Sequence, residues 1–172
     1  SGLDVIVTDH HGIDHDRTPT DAVALVHPAL PGSAFPFHGL AGGGVAWKLA
    51  QALYHSLGRQ DAGWQRPLLS LAALGTVADV APLLDENRSI VRQGVLEMAQ
   101  SSIVGLRALL RSARIEGRTV DSETIAWALA PRLNAAGRID SASVSYDLLV
   151  EESEEKAAAL AAILEEQNRE RQ

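Results

Sequence analysis

The sequence places one carboxylate and two imidazoles at the end of its first apolar run. Residues 5–7 (Val-Ile-Val) are all β-branched, which predicts a buried strand, and Asp9, His10 and His11 follow almost directly. In open α/β sheets, ligands collect at the carboxyl ends of strands. A neutral imidazole nitrogen binds transition metals, and a neighbouring carboxylate can fix its tautomer and orientation. The segment therefore indicates a metal site, although by itself an ordinary polar turn explains it equally well.

A second chemical group stands alone in an apolar stretch. Asp79 is the only charged residue between Arg66 and Asp85. An ionised carboxylate is costly to bury among apolar side chains. We therefore expect Asp79 either to lie at the surface or to have a metal or cationic partner.

A third polar segment combines arginine and asparagine with small residues. Arg132, Asn134 and Arg138 lie in the run 131–139, where the alanines and glycine allow close backbone approach. Such a loop is suited to phosphate or sugar contacts. A helix end with arginine near the negative pole of its dipole fits the local pattern equally well.

Composition bounds the class of protein. The chain has 172 residues, of which 46% are hydrophobic, a composition typical of one globular domain. Its net charge of −7 argues against a general nucleic-acid-binding surface on this chain alone. It contains no cysteine, which excludes thiolate metal sites and is compatible with the cytoplasm. No apolar run approaches the roughly 20 residues that span a membrane.

Hydrophobic periodicity predicts an α/β fold with a few strands near the N-terminus followed mostly by helices. The second strand is expected at 22–28, where Pro28 ends it, and Pro131 should kink or end the helix that contains it. The glycine run 42–44 either receives an anion at a helix N-terminus or lets that helix pack closely. The predicted helices are 40–57, 64–74, 85–100, 104–113, 123–134, 141–150 and 153–172.

Three segments together carry a family resemblance. They are Asp-His-His at 9–11, Gly-Thr-Val-Ala-Asp-Val-Ala-Pro-Leu at 75–83 and Arg-Leu-Asn-Ala-Ala-Gly-Arg at 132–138. In this order they resemble the DHH phosphoesterase superfamily and, within it, the RecJ family of single-stranded-DNA-specific exonucleases. The resemblance covers almost the whole chain and implies a parallel-sheet α/β domain.

The resemblance implies a two-metal phosphodiesterase that uses Mn²⁺ or Mg²⁺. The resemblance further implies degradation of single-stranded DNA in the 5′→3′ direction, a role in DNA repair and recombination, and a cytoplasmic location. Carried over to this sequence, His10 and Asp79 ligate one of the metals, His11 faces the scissile phosphate, and Asp9 orients the neighbouring groups. Carboxylate and imidazole ligands suit Mn²⁺, and paired metals can clamp the attacking and leaving oxygens.

The same resemblance assigns the contacts with the DNA strand to Arg138, together with Asn134 and Arg132. Two alternatives stay open. The chain could belong to another DHH phosphoesterase that acts on short oligonucleotides or small phosphate esters, or to a non-catalytic DHH scaffold.

The sequence also departs from the family pattern. The family's acidic strand end and its metal-bridging aspartate normally precede the Asp-His-His strand, and neither is present in this sequence. A C-terminal substrate-binding domain is absent as well. We therefore expect residues 1–150 to be the second half of a DHH catalytic domain and residues 151–172 to begin an interdomain linker helix. The aspartate-bearing N-terminal half and the C-terminal substrate-binding domain are then expected to be partners from the same parent polypeptide. We expect no membrane partner, and we expect the chain alone to be inactive.

Overall fold

The computed structural model describes residues 2–13, 19, 21–59, 63–135 and 142–171. Strands near the N-terminus are followed by helices, as the hydrophobic pattern predicts. No helix in these ranges is both long and apolar enough to cross a membrane. The elements are β1 (Ile6–Thr8), β2 (Ala24–Val26), α1 (Gly42–Ser56), α2 (Gln65–Ala78), α3 (Asp85–Met98), α4 (Val104–Ser112), α5 (Ser122–Thr124), a π-helical turn (Ile125–Leu129), α6 (Ala130–Ala135), α7 (Ala142–Val150) and α8 (Glu154–Arg171).

The two strands are parallel, with Val7 opposite Leu25. Both therefore end at the same edge of the sheet, the edge from which residues 9–11 emerge. The prediction that the first strand is buried is wrong, because Val5 and Ile6 are exposed. Within the described ranges β1 pairs with β2 alone. The β-branched residues of β1 therefore indicate its extended backbone and do not indicate that the strand is buried.

Two hydrophobic clusters hold the helices together. The first joins α1, α2 and α3, with Trp47, Ala73 and Ile90 in its interior. The second lies among α4, the π-helical turn, α7 and α8, and includes Leu109 and Leu129. The α2 helix reaches both clusters, so it connects the strand end of the molecule to the helical end.

The glycine run at the start of α1 serves close packing. A Cβ atom on Gly43 would lie 3.4 Å from the Cα atom of Ala72 and 3.5 Å from that of Gly75. The backbones of α1 and α2 therefore approach each other closely at this point. The observation favours the packing explanation of the run over an anion site.

The helix that contains Pro131 does not end there. It continues to Ala135, and the π-helical turn that precedes it ends at Leu129. A proline ring crowds the carbonyl four residues earlier, which for Pro131 lies inside the π-helical turn, where the regular α-helical bonding is already interrupted. Nη1 of Arg132 donates to the carbonyl oxygen of Ala128 at 2.6 Å, which gives that carbonyl a partner.

The C-terminal helix packs on the rest of the described chain. Ala157, Ala161 and Leu164 of α8 are buried in the second cluster. At its N-terminal end, Glu154 accepts hydrogen bonds from Arg107 and Arg111 of α4. This face of α8 is thus occupied, and the role of residues 151–172 as a linker between domains stays a prediction.

Candidate metal centre

The carboxylate of Asp9 organises the turn that follows β1. Its Oδ1 atom accepts the backbone N–H of His10 at 2.7 Å and that of His11 at 3.2 Å, and it lies 2.7 Å from Nδ1 of His11. The hydrogen bond from the His11 ring, with the two backbone N–H groups, holds the pKa of Asp9 well below its usual range. The same carboxylate raises the pKa of the His11 imidazole. Asp9 therefore fixes both the backbone of the turn and the orientation of the exposed His11 ring.

The His10 ring lies between the start of α1 and Asp79. A Cβ atom on Gly42 would come within 3.2 Å of its Cδ2 atom and 3.4 Å of its Nε2 atom, so a larger residue at this position would push against the ring. On the other side, Nδ1 of His10 is 3.6 Å from Oδ2 of Asp79. The ring is 19% exposed, and its position is set by the elements around it.

Asp79 is held by the way in which α2 ends. The helix runs one turn beyond the predicted end at Leu74, and Asp79 is its C-cap residue. The N–H of Val80 bonds to the carbonyl of Val77, and the N–H of Ala81 bonds to that of Thr76. This is the Schellman arrangement, in which the residue after the cap adopts a left-handed conformation, and Val80 has φ +56°.

A β-branched residue is unfavourable in that conformation. Its side chain is 86% exposed, so packing does not compensate for the strain. The backbone directly beside Asp79 is therefore strained in a way that holds the carboxylate at the helix end. Asp79 is 46% exposed, so it lies both at the surface and beside an imidazole.

The facing pair has the chemistry and spacing of two ligands to one divalent cation. Nitrogen and oxygen ligands bind such ions at about 2.0–2.2 Å, so two ligands of one ion lie within roughly 4.4 Å of each other. The separation of 3.6 Å between His10 and Asp79 meets this condition. In the ranges that the structure describes, no cluster of three or more His, Cys, Asp or Glu side chains is arranged to hold a metal. The described residues thus offer a pair of ligands, and further ligands have to come from elsewhere or from water.

Sequence comparison relates the whole chain to one kind of nuclease. It is 43% identical over 171 residues to the single-stranded-DNA-specific exonuclease RecJ of Bacillus subtilis (strain 168), a match that covers 99% of this chain and 21% of that protein. It is 39% identical over 174 residues to RecJ of Thermus thermophilus, over 100% of this chain and 24% of that protein. No family model matches the chain.

Solved structures give the same relationship. The crystal structure of RecJ in complex with Mn²⁺ from Thermus thermophilus matches with a TM-score of 0.85 and 38% identity, over 99% of this chain and 24% of that one. Over its whole length, this chain is similar to one part of RecJ. A further structure of RecJ bound to manganese matches with a TM-score of 0.83 over 99% of this chain and 42% of that one. The predicted resemblance to RecJ and the predicted fold class are confirmed.

The chain spans between a fifth and a third of the length of the curated RecJ proteins that it matches. The ions in solved RecJ structures are those that the resemblance predicts, since Thermus RecJ has been crystallised with Mg²⁺ as well as with Mn²⁺.

The three residues predicted to contact DNA have different surroundings. Arg132 is only 14% exposed, and its Nε atom bonds to Oε2 of Glu165 at 2.5 Å. This ion pair makes Arg132 a link between α6 and α8 and argues against a direct contact with a RecJ substrate. Asn134 is exposed on α6, and its backbone carbonyl accepts a hydrogen bond from Arg171. Arg138 lies outside the described residues.

Two residues near the centre were not predicted from the sequence. Nε2 of the buried His27 is 2.8 Å from the carbonyl oxygen of His11. The fully buried Asn87 donates to the carbonyls of Gly39 and Pro82, which tethers the segment before α1 to the one after Asp79. The signal for His27 was available, because it lies near the end of the second predicted strand and the ends of parallel strands meet. Nothing in the local sequence indicates the contacts of Asn87.

Proposed function

We propose that this chain contributes part of the active site of a RecJ-type exonuclease that hydrolyses phosphodiester bonds in single-stranded DNA. The observation that carries the proposal is the approach of His10 to Asp79, which are two potential ligands from distant parts of the sequence. Solved structures of RecJ, to which the chain is similar, contain Mn²⁺ or Mg²⁺. The activity requires the rest of the polypeptide, because the described residues offer too few ligands for two ions and the relatives are much longer.

His10 and Asp79 would hold one divalent cation. When bound, such a cation lowers the pKa of a water molecule and stabilises the charge that develops on the phosphate oxygens. Asp79 contributes the negative charge that draws the ion, and His10 contributes a nitrogen ligand whose ring lies against the start of α1 at Gly42. Mn²⁺ and Mg²⁺ both accept this donor set.

The exposed His11 would bind the scissile phosphate. Its Nδ1 atom is engaged by Asp9, so the opposite ring nitrogen is the one available to a phosphate oxygen. Asp9 prevents the ring from rotating and keeps that nitrogen directed outward. Asp9 thus orients the histidine, and His11 touches the substrate.

The strand itself would be held by Arg138 and Asn134, with cationic groups from outside this chain. A protein that binds phosphates needs cations, and with a net charge of −7 this chain does not supply them in excess. We further propose 5′→3′ digestion, a role in DNA repair and recombination, and a cytoplasmic location, all of which follow the RecJ resemblance.

The test compares Asp79→Ala with Asp147→Ala in the RecJ polypeptide that carries this sequence. Asp147 is exposed on α7, which makes it a matched control. With Mn²⁺ and 5′-phosphorylated single strands, we expect Asp79→Ala to lower kcat by about 100-fold or more and the control to retain full activity. Full activity of Asp79→Ala would overturn the metal assignment, whereas faster hydrolysis of dinucleotides than of long strands would favour another DHH phosphoesterase.

A further inference from the structure

We propose that His27 is a positioning residue of the metal centre and acts through the backbone of His11. The inference rests on the proposed function, since it concerns the same turn. His27 directly follows β2, and the turn that carries His10 and His11 follows β1. Because the two strands are parallel, their C-terminal ends lie side by side, which brings the His27 ring against the turn.

The hydrogen bonds of His27 determine its tautomer. Nε2 faces the carbonyl oxygen of His11 at 2.8 Å, and a carbonyl can only accept, so Nε2 carries the hydrogen. Nδ1 receives the backbone N–H of Ala29 at 3.1 Å, and an N–H can only donate, so Nδ1 carries a lone pair. Both contacts are satisfied together only by the neutral Nε2–H form of the ring.

These contacts complete the support of the turn. On its N-terminal side, the N–H of Asp9 bonds to the carbonyl of Val26, and the Asp9 carboxylate holds the N–H groups of the two following residues. On its C-terminal side, the carbonyl of His11 is held by His27. The peptide groups on both sides of His11 are thus fixed to Asp9 or to His27, and they set the direction in which the His11 side chain leaves the backbone.

The burial of His27 makes the anchor effective. The residue is 8% exposed, so water does not readily replace its ring as the partner of the His11 carbonyl. The next residue, Pro28, is also buried and restricts the backbone beside the ring. Both ring nitrogens of His27 are engaged by backbone groups, so its proposed effect on catalysis is indirect. Loss of the anchor should therefore lower kcat while leaving the KM for the strand nearly unchanged.

The experiment compares three variants in the RecJ polypeptide. His27→Phe keeps a ring of similar size without a donor, His27→Gln places an amide N–H near the original Nε2 position, and His55→Phe changes an exposed histidine of α1 as the matched control. The readouts are kcat and KM on a single strand, the affinity for Mn²⁺ by electron paramagnetic resonance, and thermal unfolding.

We expect His27→Phe to lower kcat by roughly 10- to 100-fold, the range for partners that orient active-site groups, with KM within about twofold of the original value. His27→Gln should recover most of kcat, and His55→Phe should match the unmodified protein. The Mn²⁺ spectrum should change in His27→Phe, because His10 precedes the anchored peptide group.

The inference is overturned if His27→Phe retains kcat, or if the glutamine and phenylalanine variants lose kcat equally and in step with their loss of thermal stability. Should His27→Phe fail to fold, His27→Met replaces it, since methionine has about the length of glutamine and no N–H donor. Equal kcat values for His27→Met and His27→Gln would again overturn the inference. Failure of the broader proposal is distinguishable, because it would appear as full activity of Asp79→Ala whatever the result at His27.

Discussion

The carboxylate of Asp9 illustrates how few atoms define this centre. One oxygen binds two backbone N–H groups and one imidazole, and so fixes the turn and the ring that it carries. The residue pattern alone suggested this, since an aspartate before two histidines is suited to orienting them. The anchor supplied by His27 could not be obtained from local sequence, because it depends on the parallel pairing of the two strands, which is a tertiary contact.

Gly42 is expected to control the position of the His10 ring. Gly42→Ala adds a carbon within 3.2 Å of the ring, closer than ordinary van der Waals contact, so the ring has to move. We expect the Mn²⁺ affinity of the RecJ polypeptide to fall about tenfold, as when a ligand loses its orienting partner. Isothermal titration measures this, with Ala46→Ser on the exposed side of α1 as the control. An unchanged affinity would mean that the ring does not depend on this wall.

Arg138 is expected to bind the strand and not the metal. In Arg138→Ala, the affinity for single-stranded DNA should fall while the affinity for Mn²⁺ stays constant. The plot of log binding constant against log salt concentration should become less steep, by about one unit of slope. Arg88→Ala, an exposed change on α3, is the control for a general effect of charge. Normal DNA affinity with weakened metal binding would contradict the assignment.

At the scale of elements, the end of α2 decides where Asp79 lies. The sequence pattern predicts this helix but ends it at Leu74, directly before Gly75. Gly75 instead lies against Gly43 where α1 and α2 cross, and the helix continues to Ala78. A glycine that permits close packing and a glycine that ends a helix look alike in one sequence, which is why this boundary could not be placed.

The strained cap residue gives a stability prediction. Val80→Gly removes the Cβ that makes φ +56° unfavourable, and the exposed side chain contributes little packing. We expect the free energy of unfolding to rise by about 1 kcal/mol, within the penalty for a left-handed residue. Val80→Ala, which keeps the Cβ, should stay within about 0.5 kcal/mol of the original protein. Urea denaturation distinguishes the two, and an equal effect of both substitutions would show that the backbone is not strained.

At the scale of the whole molecule, α8 closes the helical end. Ala157, Ala161 and Leu164 recur at helical spacing along α8 and are buried, whereas the helices that cover them were not predictable, because such contacts are tertiary. The ion pairs at Glu154 and Glu165 tie it to α4 and α6. The helical end thus forms one packed body with the segment that carries Arg132 and Asn134.

The Glu154 cluster makes the attachment of α8 dependent on pH. Hydrogen bonds from Arg107 and then Arg111 lower the pKa of Glu154 below its ordinary value of 4.5. The folded state therefore favours the ionised form, and the resulting stability is present above pH 4.5 and is lost as the pH falls through the lowered pKa.

Glu154→Gln should accordingly lower the thermal unfolding temperature at neutral pH, and the difference from the original protein should shrink as the pH falls below 4.5. Glu155→Gln is the control, because within the described ranges Glu155 is not part of an ion pair. A difference that is the same at neutral and acid pH would exclude the arginine contacts as its source.

The central claim is that His10 and Asp79 bind the same cation, and anomalous diffraction at the manganese edge tests it most directly. Crystals of the RecJ polypeptide grown with Mn²⁺ should show an anomalous peak bonded to both side chains, at about 2.0–2.2 Å from each ligand atom. The peak should disappear in Asp79→Ala and persist in Asp147→Ala. A fully occupied manganese site bonded to neither side chain, or to only one of them, would contradict the account.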